Sequence, residues 1–189
     1  MRVNRCVRVC VRLILLLLLT AWALLAPPPR LLAAGSPLDD PAVPAVGRAW
    51  PVGLRPPILR GWEPPATVYG RGHRGVDLAA APGTPVRAVA SGRVSFAGRV
   101  AGKGVVSVEL TGTGDPPLRT THEPVTASVA EGDEVEPGEV IGTVDATGSH
   151  CAAACVHWGL RRGETYLNPL SLLPWWLLSL GPSRLLPVY

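Results

Sequence analysis

Lysine is almost absent from this chain. Of its 18 Lys and Arg, one is a lysine, Lys103. Phe occurs once and Tyr three times, while Gly and Pro number 21 each. That balance excludes a long-helix or coiled-coil protein and favours short strands joined by turns. No heptads appear, and no internal repeat on the order of 20–50 residues. Acidic residues are missing from the first 34 positions, which carry Arg2, Arg5, Arg8, Arg12 and Arg30. The formal net charge of +4 rests on those arginines. Without that stretch thirteen basic residues face fourteen acidic ones. A nucleic-acid role that leans on overall basic charge loses its support.

The start of the chain is an address. Four arginines precede Leu13 to Ala26, a Leu-rich uncharged run. This is the order of a secretory signal, a positive segment before an apolar one. The run is shorter than the about 20 residues of a membrane span. Ala33, Ala34 and Gly35 supply small residues for cleavage, so residues 1–34 are expected to be a signal peptide, with an uncleaved anchor as the alternative. Cys6 and Cys10 leave with it. Cys151 and Cys155 remain, in an exported protein exposed to oxidising conditions.

Residues 35–66 are Pro-rich and aperiodic and are expected to form an extended arm, with Trp50, Val52, Leu54, Ile58, Leu59 and Trp62 along the domain. From 67 to 171 the texture is that of strands. Thr84–Gly98 reads as two strands around Ser91-Gly92. Gly104–Leu110 alternates apolar residues at Val106, Val108 and Leu110. Leu118–Val129 holds one or two more strands, Val135–Val144 has a Pro-Gly turn before a strand, and Cys155–Arg161 is a last one. The expected fold is all-β, a compact antiparallel sandwich or open barrel. Residues 172–189 form an apolar tail, in which Pro174 can open a short helix. The tail serves as a cap on the sheet or as a contact for a membrane or a protein.

All four histidines fall between 73 and 157. His73 and Asp77 are four apart, so on an extended segment both point to one side. With His157 they make a three-ligand set suited to zinc, leaving a position for water or substrate. Zinc of that kind lowers the pKa of water and polarises a carbonyl.

The text around these residues carries more. It runs Gly72-His-Arg-Gly-Val-Asp-Leu78, then Gly83-Thr-Pro-Val-Arg-Ala-Val-Ala-Ser-Gly-Arg-Val94, then Val129 to Gly142 with its Glu-Pro-Gly turn, then Val156-His-Trp158 and Leu167-Asn-Pro-Leu170. Over residues 69–171 this resembles the M23 zinc metallopeptidases, the lysostaphin-like peptidoglycan endopeptidases, and the flanks look like those of a secreted actinobacterial member. The resemblance implies a compact antiparallel β-fold with Zn2+ in a groove, held by His73 and Asp77 of a His-x-x-x-Asp pair and by His157, the second His of a His-x-His.

The sequence departs from the family pattern where protons are handled. The first His of His-x-His is Cys155. Where the family carries Tyr-x-His-Leu, this chain has Thr120-Thr-His-Glu-Pro-Val125. The gapless register puts Glu123 at the His position and His122 one residue early, and one residue flips a strand side chain to the other face. Glu123 can act as a base, His122 reaches the site only through a bulge, and His150 can stand in. Cys155 is either a thiolate ligand or half of a disulfide with Cys151; export and an even cysteine count favour the disulfide.

The expectation is an exported, cell-wall-associated monomer that hydrolyses peptidoglycan crosslinks, with Glu123 or His122 handling the proton. The rival is a non-catalytic M23-like module that binds cell wall or regulates a wall hydrolase. A lipoyl- or biotin-carrier role would need a modifiable Lys at a hairpin tip. Only Lys103 offers one, and the His/Asp/His set would then have no purpose.

Overall fold

Burial alternates along residues 118–123. Leu118, Thr120 and His122 are buried, while Arg119, Thr121 and Glu123 are half-exposed. That is the two-residue period of a strand with one face on a core. The computed structural model describes residues 43–67 and 69–179. The expected signal peptide, the start of the arm and the end of the tail lie outside the described residues.

The strands are β1 (Ile58–Arg60), β2 (Gly75–Ala79), β3 (Pro85–Arg87), β4 (Gly92–Val100), β5 (Lys103–Leu110), β6 (Leu118–Glu123), β7 (Val125–Ala127), β8 (Glu134–Val135), β9 (Val140–Val144), β10 (Cys155–Arg162) and β11 (Thr165–Leu167). One sheet has the order β1-β2-β10-β6-β5-β4-β8, with β11 also paired to β10. A second sheet has the order β3-β9-β7. Every pairing is antiparallel. The architecture is the all-β one the sequence called for, built as open sheets and not as a closed barrel.

The inner face of the large sheet is apolar. It presents Val76, Leu78, Val106, Val108, Val156, Trp158 and Leu160, all buried. The arm covers part of it. Trp50 meets Trp158 edge to face, ring centres 6.5 Å apart and planes at 62°. The Trp50 indole N–H donates to the Leu177 carbonyl at 3.2 Å. Backbone bonds lace the arm down: Gly47 N–H donates to Leu172 O, Arg48 N–H to Val89 O, and Arg87 N–H to Pro51 O, each at 2.8 Å. A Cβ at Gly47 would lie 2.8 Å from Leu172 O, so glycine permits this approach. Trp50 and Val52 are therefore core residues. Ile58 and Leu59 lie in edge strand β1, while Leu54 is exposed.

The tail closes the same face. Asn168 Oδ1 accepts from Leu170 N–H at 3.1 Å and caps a 3-10 turn, Pro169–Leu172. A short helix, α1 (Trp175–Ser179), follows Pro174. Leu172, Leu173 and Leu177 are buried, and Trp175 and Trp176 face outward. Among the described residues no helix is long and apolar enough to cross a membrane.

His122 lies on this apolar face. It pairs with Trp158 on β10 and Val106 on β5, is fully buried, and neither ring nitrogen has a partner of hydrogen-bonding geometry. Burial pushes its pKa down from 6.5 to about 4, and the Val106 backbone offsets this only in part. The ring is neutral when folded. Between pH 6.5 and 4 the unfolded chain binds a proton there that the folded chain does not, so stability falls as pH drops through that window. His122→Leu removes this term. Urea unfolding at pH 7 and pH 4 should show the variant gaining on wild type by up to about 3 kcal/mol at the lower pH.

Candidate metal centre

The outer face of the large sheet carries the polar residues, and the pairing register places them. On β2 and β10, Asp77 lies opposite His157. On β10 and β6, His157 lies opposite Glu123. Directly opposed residues share a face, so Asp77, His157 and Glu123 form one row across three strands. His122, one position earlier, points the other way. The register of β6 runs unbroken against both neighbours, and no bulge returns His122 to the row. The expectation that it handles a proton fails on this placement, because its ring is sealed in the core.

His73 joins the row from just outside β2. Its backbone is pinned to Glu63, with His73 N–H donating to Glu63 O at 2.8 Å and Glu63 N–H to His73 O at 3.1 Å. Its ring Nδ1–H donates to the Gly61 carbonyl at 2.6 Å. A carbonyl only accepts, so the proton is on Nδ1 and the Nε2 lone pair faces the cluster. That Nε2 lies 3.0 Å from Asp77 Oδ1 and 3.2 Å from His157 Nδ1. His157 Nδ1 lies 2.8 Å from the same carboxylate oxygen. Three electron-pair donors converge on one point with few protons to share. A cation relieves that crowding, and two imidazoles with a carboxylate suit zinc. The donor set fits the metal.

Asp77 is the hub. It is 2% exposed, and its other oxygen, Oδ2, accepts from His150 Nε2 at 3.0 Å. Burial works to raise its pKa, but hydrogen bonds from His157 and His150, with His73 close by, outweigh burial and hold it at about 2. Ligand atoms of His73, Asp77, His150 and His157 all lie within 4.8 Å of one another.

The position of His150 comes from the cysteines. Cys151 and Cys155 are disulfide-bonded, with Cα atoms 6.0 Å apart. Neither sulfur is a thiolate, so Cys155 is no metal ligand. Cys155 is buried at the start of β10, opposite Ala79, two residues before His157 and on its face. The bridge closes residues 151–155 into a loop at the start of β10, and His150, next to Cys151, meets Asp77. Ser149 braces the turn, with Oγ 3.3 Å from Cys155 Sγ and accepting from Cys151 N–H at 3.3 Å.

Glu123 stands on the site face beside His157, with Lys103 Nζ 3.2 Å from its carboxylate. The chain's one lysine is thus tied to the site. Next along the sheet is a row of small residues: Gly75 opposite Gly159, Gly159 opposite Thr121, Thr121 opposite Ser107. Gly159, Thr121 and Ser107 floor an open trough of about 500 Å³ that begins at His157 and Glu123.

Gly75 has a specific duty. A Cβ there would lie 2.6 Å from His157 Nε2 and would also press on the Trp158 carbonyl. Its absence lets the imidazole lie flat over β2 with Nδ1 aimed at Asp77. Gly75→Ala should therefore turn the ring aside and weaken metal binding by about 10–100-fold, while His73→Ala, Asp77→Ala and His157→Ala should each abolish stoichiometric binding. Titration against a chromogenic chelator reads this, with circular dichroism as the check on folding. Tight stoichiometric metal in Gly75→Ala would show that the His157 ring is not held as described.

Comparison with known proteins places the chain in a lineage. The model of Peptidase family M23 matches residues 71–169, more than half of the chain and the span that holds His73, Asp77, His150 and His157. The uncharacterized protein Rv2891 of Mycobacterium tuberculosis is 39% identical over 176 residues, covering 90% of this chain and 63% of that protein. The DD-carboxypeptidase/endopeptidase Mpg of Neisseria meningitidis is 38% identical over 117 residues, covering 61% of this chain and 24% of that enzyme. The chain thus spans less than two thirds of the length of either relative. In fold it is similar to a zinc-containing peptidase from Vibrio cholerae, with a TM-score of 0.51 at 22% identity, covering 68% of this chain and 41% of that one. On the extent of the family match, and with the His/Asp cluster inside it, the chain belongs to peptidase family M23.

Proposed function

We propose that this protein is an exported zinc peptidase that hydrolyses peptide crosslinks of peptidoglycan. The observation that carries the reading is the convergence of His73, Asp77 and His157 at the end of an open trough in an M23 domain. The Arg-then-Leu start of the chain and the Cys151–Cys155 disulfide support export. His73, Asp77 and His157 hold the metal. Zinc supplies a Lewis acid that polarises the amide carbonyl and makes water a nucleophile near neutral pH.

The chain's own residues handle the protons. Glu123, opposite His157, accepts the proton from the attacking water on its carboxylate. His150 Nε2 carries a proton beside Asp77 Oδ2. That bond orients the ring, and from the half-exposed rim of the site its other nitrogen, Nδ1, takes up a proton from solvent and passes it to the leaving amine, while the proton on Glu123 returns to solvent. In this reading, the loop that replaces the family's first His restores an imidazole by another route. Lys103 holds the Glu123 carboxylate in place. A second reading, a wall-binding module without turnover, is favoured by Cys155 standing where the family has His.

Release of new amines from purified sacculi separates the two. Zinc-loaded wild type should release them and a chelator should stop it. Glu123→Gln and His150→Ala should each lower the rate by about 10²–10⁴-fold with zinc content unchanged. Adding Cys151→Ala and Cys155→His to His150→Ala should recover part of the loss, since an imidazole then returns at position 155. Binding to sacculi without amine release by wild type would favour the module.

A further inference from the structure

The trough has a far end that the proton chemistry does not use. Beyond the row of small residues, Arg161 on β10 lies opposite Arg119 on β6. Both line the trough, and Arg74 lines it as well. Glu123 is the acidic residue in that lining, and it is already paired with Lys103. Two arginines side by side repel, and such pairs persist where an anion shares them.

Among the described residues, the partners of Arg161 and Arg119 are few. Among the described residues Arg161 reaches Glu164 alone, at 3.0 Å, and that carboxylate is almost fully exposed, where an ion pair is worth little. Arg74 donates to the Gly70 carbonyl and lies over the Tyr166 ring at 5.6 Å. Arg119 has no ion-pair partner among the described residues. Its Nε is buried and makes no hydrogen bond, although Glu109 lies opposite it on β5, exposed. A buried donor of a charged group left without a partner is costly unless a ligand supplies one.

The space between is kept clear. Gly159 has φ outside the left-handed region, and a Cβ there would meet nothing nearer than 3.5 Å. Packing does not demand glycine at this position; an open floor does. Ser107 and Thr121 bond to each other through their hydroxyls at 2.9 Å and stay low. Along β10, Arg161 is four residues beyond His157, about 13 Å at strand rise. An extended peptide lying in the trough with its scissile amide at His157 carries a group two to four residues away, by the same rise, to the arginines.

We propose that Arg119 and Arg161, aided by Arg74, form a subsite for a free carboxylate of the peptide substrate. This rests on the trough being the peptide groove of the proposed hydrolase. The carboxylate belongs either to the end of the peptide or to a side chain; both present the planar anion that a guanidinium fork matches.

The test uses the zinc-loaded full chain and soluble disaccharide-peptide fragments of peptidoglycan in four forms: all carboxylates free, the terminal one amidated, the side-chain ones amidated, and all amidated. Dissociation constants come from calorimetry, and amine release is followed in parallel. The free form should bind at least about tenfold more tightly than the fully amidated form, since a charge-assisted bidentate contact is worth that much or more. The singly amidated forms show which carboxylate is read. Arg119→Gln and Arg161→Gln should each shrink the preference with zinc content unchanged, and Arg48→Gln, on the arm, should not. His157→Ala should lose zinc and keep the preference. The proposal is overturned if free and amidated forms bind alike, if no form binds, or if the preference survives in both arginine variants. Preference without amine release removes the hydrolase and leaves the subsite; amine release without preference does the reverse.

Discussion

A carboxylate that is 2% exposed has to be satisfied on both oxygens, and Asp77 is satisfied entirely by imidazoles. Oδ1 faces His73 and His157, and Oδ2 faces His150. The rest of the site is arranged to keep those rings in reach. Gly61 turns His73 by accepting its Nδ1 proton. Gly75 leaves room for His157 to lie over β2. The disulfide holds His150. Burying an unpaired carboxylate would cost several kcal/mol, roughly, so the three histidines are as much the solvent of Asp77 as its neighbours. The same convergence of lone pairs is what suits the cluster to a cation.

Much of this was legible in the sequence, for a physical reason. A strand that buries one face must alternate, so the apolar residues of β5, β6 and β10 announce the sheet and its orientation together. Alternation also separated Glu123 from His122. The gapless register put one on each face, and the sheet keeps them there because β6 is paired on both sides without a bulge. The disulfide was expected from an even cysteine count and from reading the start of the chain as an export signal. What alternation could not reach was anything set by distance between strands. β1 is three residues long and mostly exposed, with no pattern to read. The arm is aperiodic, and only packing against Trp158 shows that Trp50 and Val52 belong to the core. His150 sits in a loop, where no periodicity says which way a side chain turns. Its signal was indirect: a His beside a Cys whose partner stands where the family carries a His.

The two faces of the large sheet divide the labour. Arm, 3-10 turn and α1 are all spent on the apolar face, where Trp50, Leu172 and Leu177 exclude water from Trp158 and its neighbours. Nothing in the described residues covers the opposite face along the trough in the same way. That asymmetry follows from chain economy. The segments before and after the M23 region have apolar residues to bury, and the inner face of the sheet is apolar. Along the middle of the outer face Gly159, Thr121 and Ser107 present little apolar surface, and the trough there stays open.

The exchange of a histidine for a cysteine is then less of a loss than it looks from the sequence. At position 155 an imidazole would project from the strand by its own short side chain. The disulfide instead anchors a five-residue loop to that point, and His150, next to that loop, places an imidazole on Asp77 Oδ2. A tether through a covalent bond fixes position at the cost of tolerance to reduction. In an oxidising compartment that cost is small, since structural disulfides persist there. In a reducing one the loop would lose its anchor, and the His150 contact to Asp77 with it. The chemistry at this centre is thereby tied to the compartment to which the start of the chain is proposed to send it.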